Sequence, residues 1–115
     1  MANTRKKELT LLAGASALNA KSEFAGVNGY DLIGLQVVTS AALSGGQIVL
    51  KQTNDNSTYN GQIVATMDFP APGGGTFNAV GFDGLNVGTV VYAEITTALV
   101  GGTITKAEII MSARS

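Results

Sequence analysis

The sequence predicts an all-β protein, a two-sheet β-sandwich of about eight strands, jelly-roll or immunoglobulin-like, with an extended N-terminal arm. Three observations carry that expectation. Short runs rich in Val, Ile, Leu and Thr recur along the chain, and within them apolar and polar residues alternate as on a half-buried strand. Clusters of Gly, Asn, Asp and Ser, residues that tolerate turn conformations, separate the runs at regular spacing, and 15 of the 115 residues are Gly. No stretch carries a helical period over several turns. A chain of this length has room for one core, so residues 1–7 are set apart as a flexible basic arm and 8–115 as a single β-sandwich domain.

Taken in order, Glu8–Ala13 alternates and reads as a strand, with Leu9, Leu11 and Ala13 on one side. Gly14–Ala20 reads as irregular, because Gly14, Ser16 and Asn19 weaken any helical turn. Lys21–Ala25 is a short strand and Gly26-Val27-Asn28-Gly29 a turn. The centre of the chain is three strands, Asp31–Thr39, Gln47–Thr53 and Gln62–Met67, joined by turns over 40–46 and 54–61. Their pleat places Ile33, Leu35 and Val37 on one face, Ile48 and Leu50 on the next, and Ile63, Ala65 and Met67 on the third. Val38, Val49 and Val64 then fall on outer faces. Pro70 and Pro72 close the third strand, because Pro has no N–H for a ladder. Gly73-Gly74-Gly75 is a connection between sheets; with no Lys-Ser/Thr and no helix after it, it is not a phosphate loop. Thr76–Val80 is a short strand, followed by a turn over 81–84. Thr89–Thr97 is a long strand and Thr103–Ser112 the last, with Thr105, Ala107, Ile109 and Met111 on one side.

Composition removes several classes of chemistry. The chain has no Cys, hence no disulfide, thiolate nucleophile or Cys-bound zinc, and no His, the commonest general base and metal ligand. No two of the eight acidic residues stand close in sequence, so no paired-carboxylate motif is present, and Asn54-Asp55-Asn56 lacks the ligand spacing of a calcium loop. A Ser nucleophile would need a Lys base, and Lys21, Lys51 and Lys106 sit in no such motif. Neither an enzyme nor a cofactor is expected. The formal net charge is −1, too weak for a nucleic-acid face, and no apolar run approaches the ~20 residues of a membrane helix. Arg5-Lys6-Lys7 before LTLLAGASALNA has the outline of a secretory signal, but Glu8, Gly14, Ser16 and Asn19 dilute the apolar part.

Candidate contact residues follow from charge and exposure. Arg5, Lys6 and Lys7 contribute +3, so the remaining chain carries −4, and a basic arm on an acidic body reads either as a solvated terminus or as an electrostatic tether to an acidic neighbouring subunit or to nucleic acid. Leu9 and Leu11 extend that arm. Val38, Val49 and Val64 offer an outer apolar face, and Tyr59, in the exposed Asn54–Asn60 tip, reads either as a ligand contact or, the favoured reading, as a turn residue packed over the sandwich edge.

The segments TLLAGAS, VNGYDLIGLQVV, SGGQIVLKQTNDNSTYNGQIVA and GGTITKAEIIMSA, in this order, set a rhythm: apolar strand, Gly-Gly, apolar strand, Asn/Asp turn with a following aromatic, apolar strand. In that rhythm the chain resembles small β-sandwich structural proteins of tailed bacteriophage virions, the capsid decoration, cement or head–tail accessory type. It departs at Tyr59, where such proteins often carry Trp. The resemblance implies a non-enzymatic virion protein, made in the host cytoplasm and placed on the capsid surface. There it binds the major capsid protein or other virion proteins and stabilises the shell, often as a dimer or trimer. The alternatives are a tail, fibre or main coat component, and a carbohydrate-binding or adhesion sandwich; the last predicts Tyr30, Tyr59 or Tyr92 on a concave face beside carboxylates and amides.

Overall fold

The fold is an eight-stranded jelly roll. A computed structural model describes residues 4–27, 29–85 and 90–113, with the side chains of 82–85 also left undescribed. The sequence expectations for residues 1–3, Asn28, the 86–89 connection and the last two residues lie outside the described residues. The strands are β1 (Thr4–Glu8), β2 (Ala25–Gly26), β3 (Tyr30–Thr39), β4 (Gly45–Thr53), β5 (Gln62–Phe69), β6 (Phe77–Leu85), β7 (Val90–Val100) and β8 (Ile104–Ala113). They form two four-stranded sheets in the orders β1-β8-β3-β6 and β2-β7-β4-β5. The antiparallel pairs β1 with β8, β2 with β7, β3 with β6 and β4 with β5 nest from the outermost strands inward. That nesting is a long hairpin rolled on itself, which distinguishes a jelly roll from the immunoglobulin arrangement.

The core lies between the sheets. Leu35 and Val37 of β3, Ile48 and Leu50 of β4, Val91, Ala93 and Ile95 of β7, and Ala107, Ile109 and Met111 of β8 are buried there, on the faces that alternation assigns to them. Each large side chain so buried contributes roughly 1.5–3 kcal/mol against chain entropy. β-Bulges and register shifts move the phase at several places. A register shift in β3 between Leu32 and Gly34 buries Leu32 and leaves Ile33 half-buried, the reverse of the expected face. A second shift opposite Val38 and Thr39 buries Ile104 and exposes Thr105. Gly46 sits at an irregularity between β4 and β7 with φ +126°, where a Cβ would lie 2.6 Å from Leu99 Cδ2 and 2.9 Å from its Cα. Only Gly fits there.

The N-terminal third departs most from expectation. The strand is Thr4–Glu8, not Glu8–Ala13, so the described part of the supposed flexible arm is an ordered edge strand on β8. All five of its side chains are exposed; it is held mainly by backbone pairing with β8, and this leaves no apolar alternation to read. Thr10–Leu12 form a 3-10 turn. Leu9 and Leu12 are three apart, share its inner side and are fully buried, whereas Leu11 points out and is 63% exposed. Leu9 is therefore a core residue, not a contact residue; its N–H donates to Ala107 O at 2.7 Å.

Gly14–Ala20 is irregular, as its Gly, Ser and Asn content implies, yet it is laced to the sheets. The N–H of Gly14 donates to Ile104 O, that of Leu99 to Ser16 O and that of Asn19 to Ile95 O, at 2.6 to 2.9 Å. The paired part of the second strand is Ala25–Gly26, with Lys21 forming a separate bridge to Glu94. Ser22, fully buried, accepts the N–H of Ala93 on its Oγ at 2.8 Å. Residues 9–26 thus close the sandwich along its β1 and β2 side. β5 ends at Phe69, before Pro70, and the expected turn over 81–84 belongs instead to β6.

Candidate interaction site

The outer face of the β1-β8-β3-β6 sheet carries a set of neighbouring apolar residues. Three rungs define it. Val38 stands opposite Phe77 and Lys106; Gln36 opposite Ala79 and Glu108; Gly34 opposite Gly81 and Ile110. Phe77 is 59% exposed, and Val38 and Ile110 are half-buried. With Gly34, Gly81 and Ala79 between them, the face has low relief, and Lys6, Lys106 and Glu108 rim it. Lys106 Nζ lies 3.7 Å from Glu108 Oε2, a surface pair of little energetic weight. A flat face with an apolar centre and a charged rim suits docking on another protein surface.

Beside this face runs the basic edge. Arg5, Lys6 and Lys7 stand on β1, whose other side has no strand paired to it among the described residues. Arg5 Nη1 donates to Tyr30 Oη at 2.9 Å, and its guanidinium carbon lies 5.4 Å from the Tyr30 ring centre. That hydrogen bond pushes the Arg5 pKa up, so its charge is fixed at any working pH. A charged edge also discourages unspecific strand addition.

Leu11 is presented next to this edge by a carboxylate clamp. Glu23 Oε2 accepts the N–H of Thr10 at 3.0 Å and its hydroxyl at 2.7 Å, and Oε1 accepts the N–H of Leu11 at 3.1 Å. Burial opposes ionisation of Glu23, but the hydrogen bonds from Thr10 and Leu11 together outweigh it and hold the carboxyl below its ordinary value near 4.5. A depressed folded pKa stabilises the protein above the unfolded pKa, and that stability fades as the pH falls through the folded one. Glu23→Gln is therefore expected to cost about 1 kcal/mol at pH 7, and the gap to wild type should narrow below about pH 4.5. Urea midpoints of both proteins from pH 7 to 3 check this; a gap that widens in acid contradicts it.

The other outer face is crossed by polar pairs, with Ile63 exposed on β5. Val49, expected as a contact, is fully buried on β4, opposite Glu94 and Thr66. Its same-face neighbours Gln47 and Lys51 are tied across the strands: Lys51 Nζ to Glu94 Oε1 at 2.9 Å, Gln47 Nε2 donating to Asp68 Oδ1 at 2.8 Å, and Thr96 Oγ1 donating to Gln47 Oε1 at 2.6 Å. Val64 shifts toward the core. The register shift opposite Leu50 and Lys51 leaves it half-buried against the core and brings Ile63, 55% exposed, beside Lys51.

Tyr59 belongs to an aromatic clasp. It stacks on Phe24 at 4.4 Å between ring centres, meets Tyr92 edge-on at 4.9 Å, and its hydroxyl donates to Ser22 O at 2.9 Å. Tyr92 is fully buried and accepts the Gly61 N–H on its hydroxyl at 2.9 Å. Gly61 has no room for a side chain, since a Cβ would collide with the Gln52 carbonyl oxygen. The clasp pins the Asn54–Asn60 tip onto residues 22–24, leaving Tyr59 43% exposed. Within the tip, Ser57 donates to Asp55 through N–H and hydroxyl at 2.9 and 2.6 Å, and the hydroxyl bond, then the N–H bond, lower the Asp55 pKa. Beside it, Gln52, Thr53, Asn54, Asn60 and Gln62 line a depression of about 390 Å³.

Of the residues expected to make contacts, the structure brings together Arg5, Lys6 and Lys7 on one edge, with Val38 on the adjoining face and Leu11 beside them. It withdraws Leu9, Val49 and Val64, and it sets Tyr59 apart. Phe77 is the residue the sequence reading missed. Among the described residues no group of three or more acidic side chains could hold a metal ion, and no helix is long and apolar enough to cross a membrane. No family model and no curated protein matches the chain.

Proposed function

We propose that this protein is a non-enzymatic virion component that decorates or cements a coat lattice, docking through the outer face of its β1-β8-β3-β6 sheet. The observation that carries the reading is the Phe77–Val38–Ile110 face, with Phe77 exposed and charged residues at its rim. The jelly-roll topology supports it by analogy alone, since capsid, lectin and cupin domains share that fold. A lattice protein needs no catalytic group; many small contacts, repeated over the lattice, multiply through effective concentration. The partners are the coat protein and other copies of this chain. The test is sedimentation of the protein with particles that lack it. It is expected in the pellet at a fixed ratio to coat subunits; a protein that stays in the supernatant at every concentration contradicts the proposal.

One observation favours a second reading, a glycan-binding sandwich. Four amide-bearing residues, Gln52, Asn54, Asn60 and Gln62, line one depression beside the tip that carries Tyr59. Binding of particle-free protein to a glycan array, lost in Asn60→Ala, would favour it.

A further inference from the structure

The two sides of the roll are finished differently. On the β1 and β2 side, Leu9 and Leu12 plug the gap between the sheets and residues 14–22 bond along β7 and β8. On the opposite side β5 and β6 are the terminal strands of their sheets, and among the described residues no strand pairs with their outer edges. Between them lies a cleft of about 370 Å³, within the ~300–1,000 Å³ of ordinary binding pockets. Met67, Val80, Ala71 and Pro72 give it apolar walls, and Thr66, Asp68, Phe77 and Ala79 form its lips. Asn78 lines it too. This side chain is only 5% exposed, and its Nδ2 has no hydrogen-bond partner among the described residues. Leaving such a buried donor unpaired is costly, and a bound acceptor removes that cost.

We propose that the β5–β6 cleft is a binding site for an extended peptide segment of a partner protein, which lies along the free strand edges, seats an apolar side chain between Met67 and Val80 and gives a main-chain carbonyl to Asn78 Nδ2. Three features select an extended peptide. The walls are strand edges with main-chain donors and acceptors free to pair, the mode of strand addition. The orphan group is a donor and wants a carbonyl. The apolar pocket lies next to that donor, as a side chain lies next to its own peptide carbonyl. The Asp68 carboxylate on the lip favours a basic residue elsewhere in the segment. The site does not rest on the shell reading: its donor and its pocket, Asn78 and Met67, face inward, and only the lip residues Phe77 and Ala79 are shared with the docking face.

The test is selection from a displayed library of random nonapeptides on the full-length protein, then titration of a selected peptide into ¹⁵N-labelled protein. The expected peptides alternate apolar residues and carry Lys or Arg, and they shift the Asn78 side-chain amide and the backbone amides of Ala65–Phe69 and Phe77–Gly81. Asn78→Leu is expected to bind at least tenfold more weakly while melting no lower than wild type. A purely structural Asn78 would instead lose stability on replacement. Asp68→Asn, a lip variant that keeps the Gln47 hydrogen bond, should weaken basic peptides severalfold and leave the fold untouched. No enriched peptide, shifts confined to other surfaces, unchanged binding by Asn78→Leu, or a lower melting temperature for that variant would each overturn the proposal.

Discussion

Replacing Phe77 and Val38 together by Asp is expected to abolish binding to the coat lattice while the protein stays folded. Both residues stand on one rung of the β1-β8-β3-β6 sheet, where Phe77, the first residue of β6, presents a large exposed apolar side chain beside half-buried Val38. An aromatic anchor at the centre of an interface typically contributes 2 kcal/mol or more, so its loss alone weakens binding about thirtyfold per contact. Two buried carboxylates add a desolvation cost to that. Repetition over a lattice magnifies the loss, because avidity depends on every copy. In the free protein the cost is small. Phe77 is 59% exposed, and surface changes usually stay within ~0.5 kcal/mol, with somewhat more expected at half-buried Val38. Sedimentation with particles gives the binding, and a thermal melt shows that the fold survives.

Tyr92→Ala should have the largest effect on stability. The ring is fully buried, packs edge-on against Phe24 and Tyr59 at 5.5 and 4.9 Å, and its hydroxyl accepts the Gly61 N–H. Removing it leaves a cavity, strips two aromatic contacts and frees the 54–61 tip. Large-to-small changes of this kind cost about 3–5 kcal/mol. In a domain of this size each kcal/mol moves the melting temperature by roughly 4–8 °C. Tyr92→Phe separates the parts: it keeps the packing, leaves the Gly61 N–H without its acceptor, and should cost about 1–3 kcal/mol. Chemical denaturation of the two variants checks the order. If Tyr92→Ala proves milder than Tyr92→Phe, the clasp is not what holds the tip.

The strands that bury one face were legible in the sequence. β4, β7 and most of β3, β5 and β8 alternate, and the turn residues between them carry the right backbone chemistry. What misled was phase. A bulge moves every later side chain to the other face, and nothing local in VNGYDLIGLQVV or GGTITKAEIIM marks where it falls. Edge strand β1 was illegible for another reason: TRKKE is held by backbone bonds to β8 and buries no side chain. Leu9 and Leu12 follow a period of three in a 3-10 turn, which reads as a broken strand.

The candidate site was legible only in part. Basic residues at 5–7 and Val38 could be read from charge and alternation. Val49 could not be assigned, because its cover comes from cross-strand bonds between Gln47, Asp68, Thr96, Lys51 and Glu94 that only the register reveals. Phe77 and Asn78 run against composition: the aromatic faces out and the amide faces in. Departures of this kind are where binding surfaces are expected, since folding alone would favour the opposite phase.

Hydroxyl-radical footprinting of the protein, free and bound to coat particles, tests the docking face most directly. Phe77 and Tyr59 are both exposed aromatics, on different surfaces, and so serve as an internal pair. Docking through the β1-β8-β3-β6 face predicts that oxidation of Phe77 falls severalfold on the particle while that of Tyr59 is unchanged. Protection of Tyr59 with Phe77 still fully reactive would contradict the account and move the interface to the Asn54–Asn60 tip.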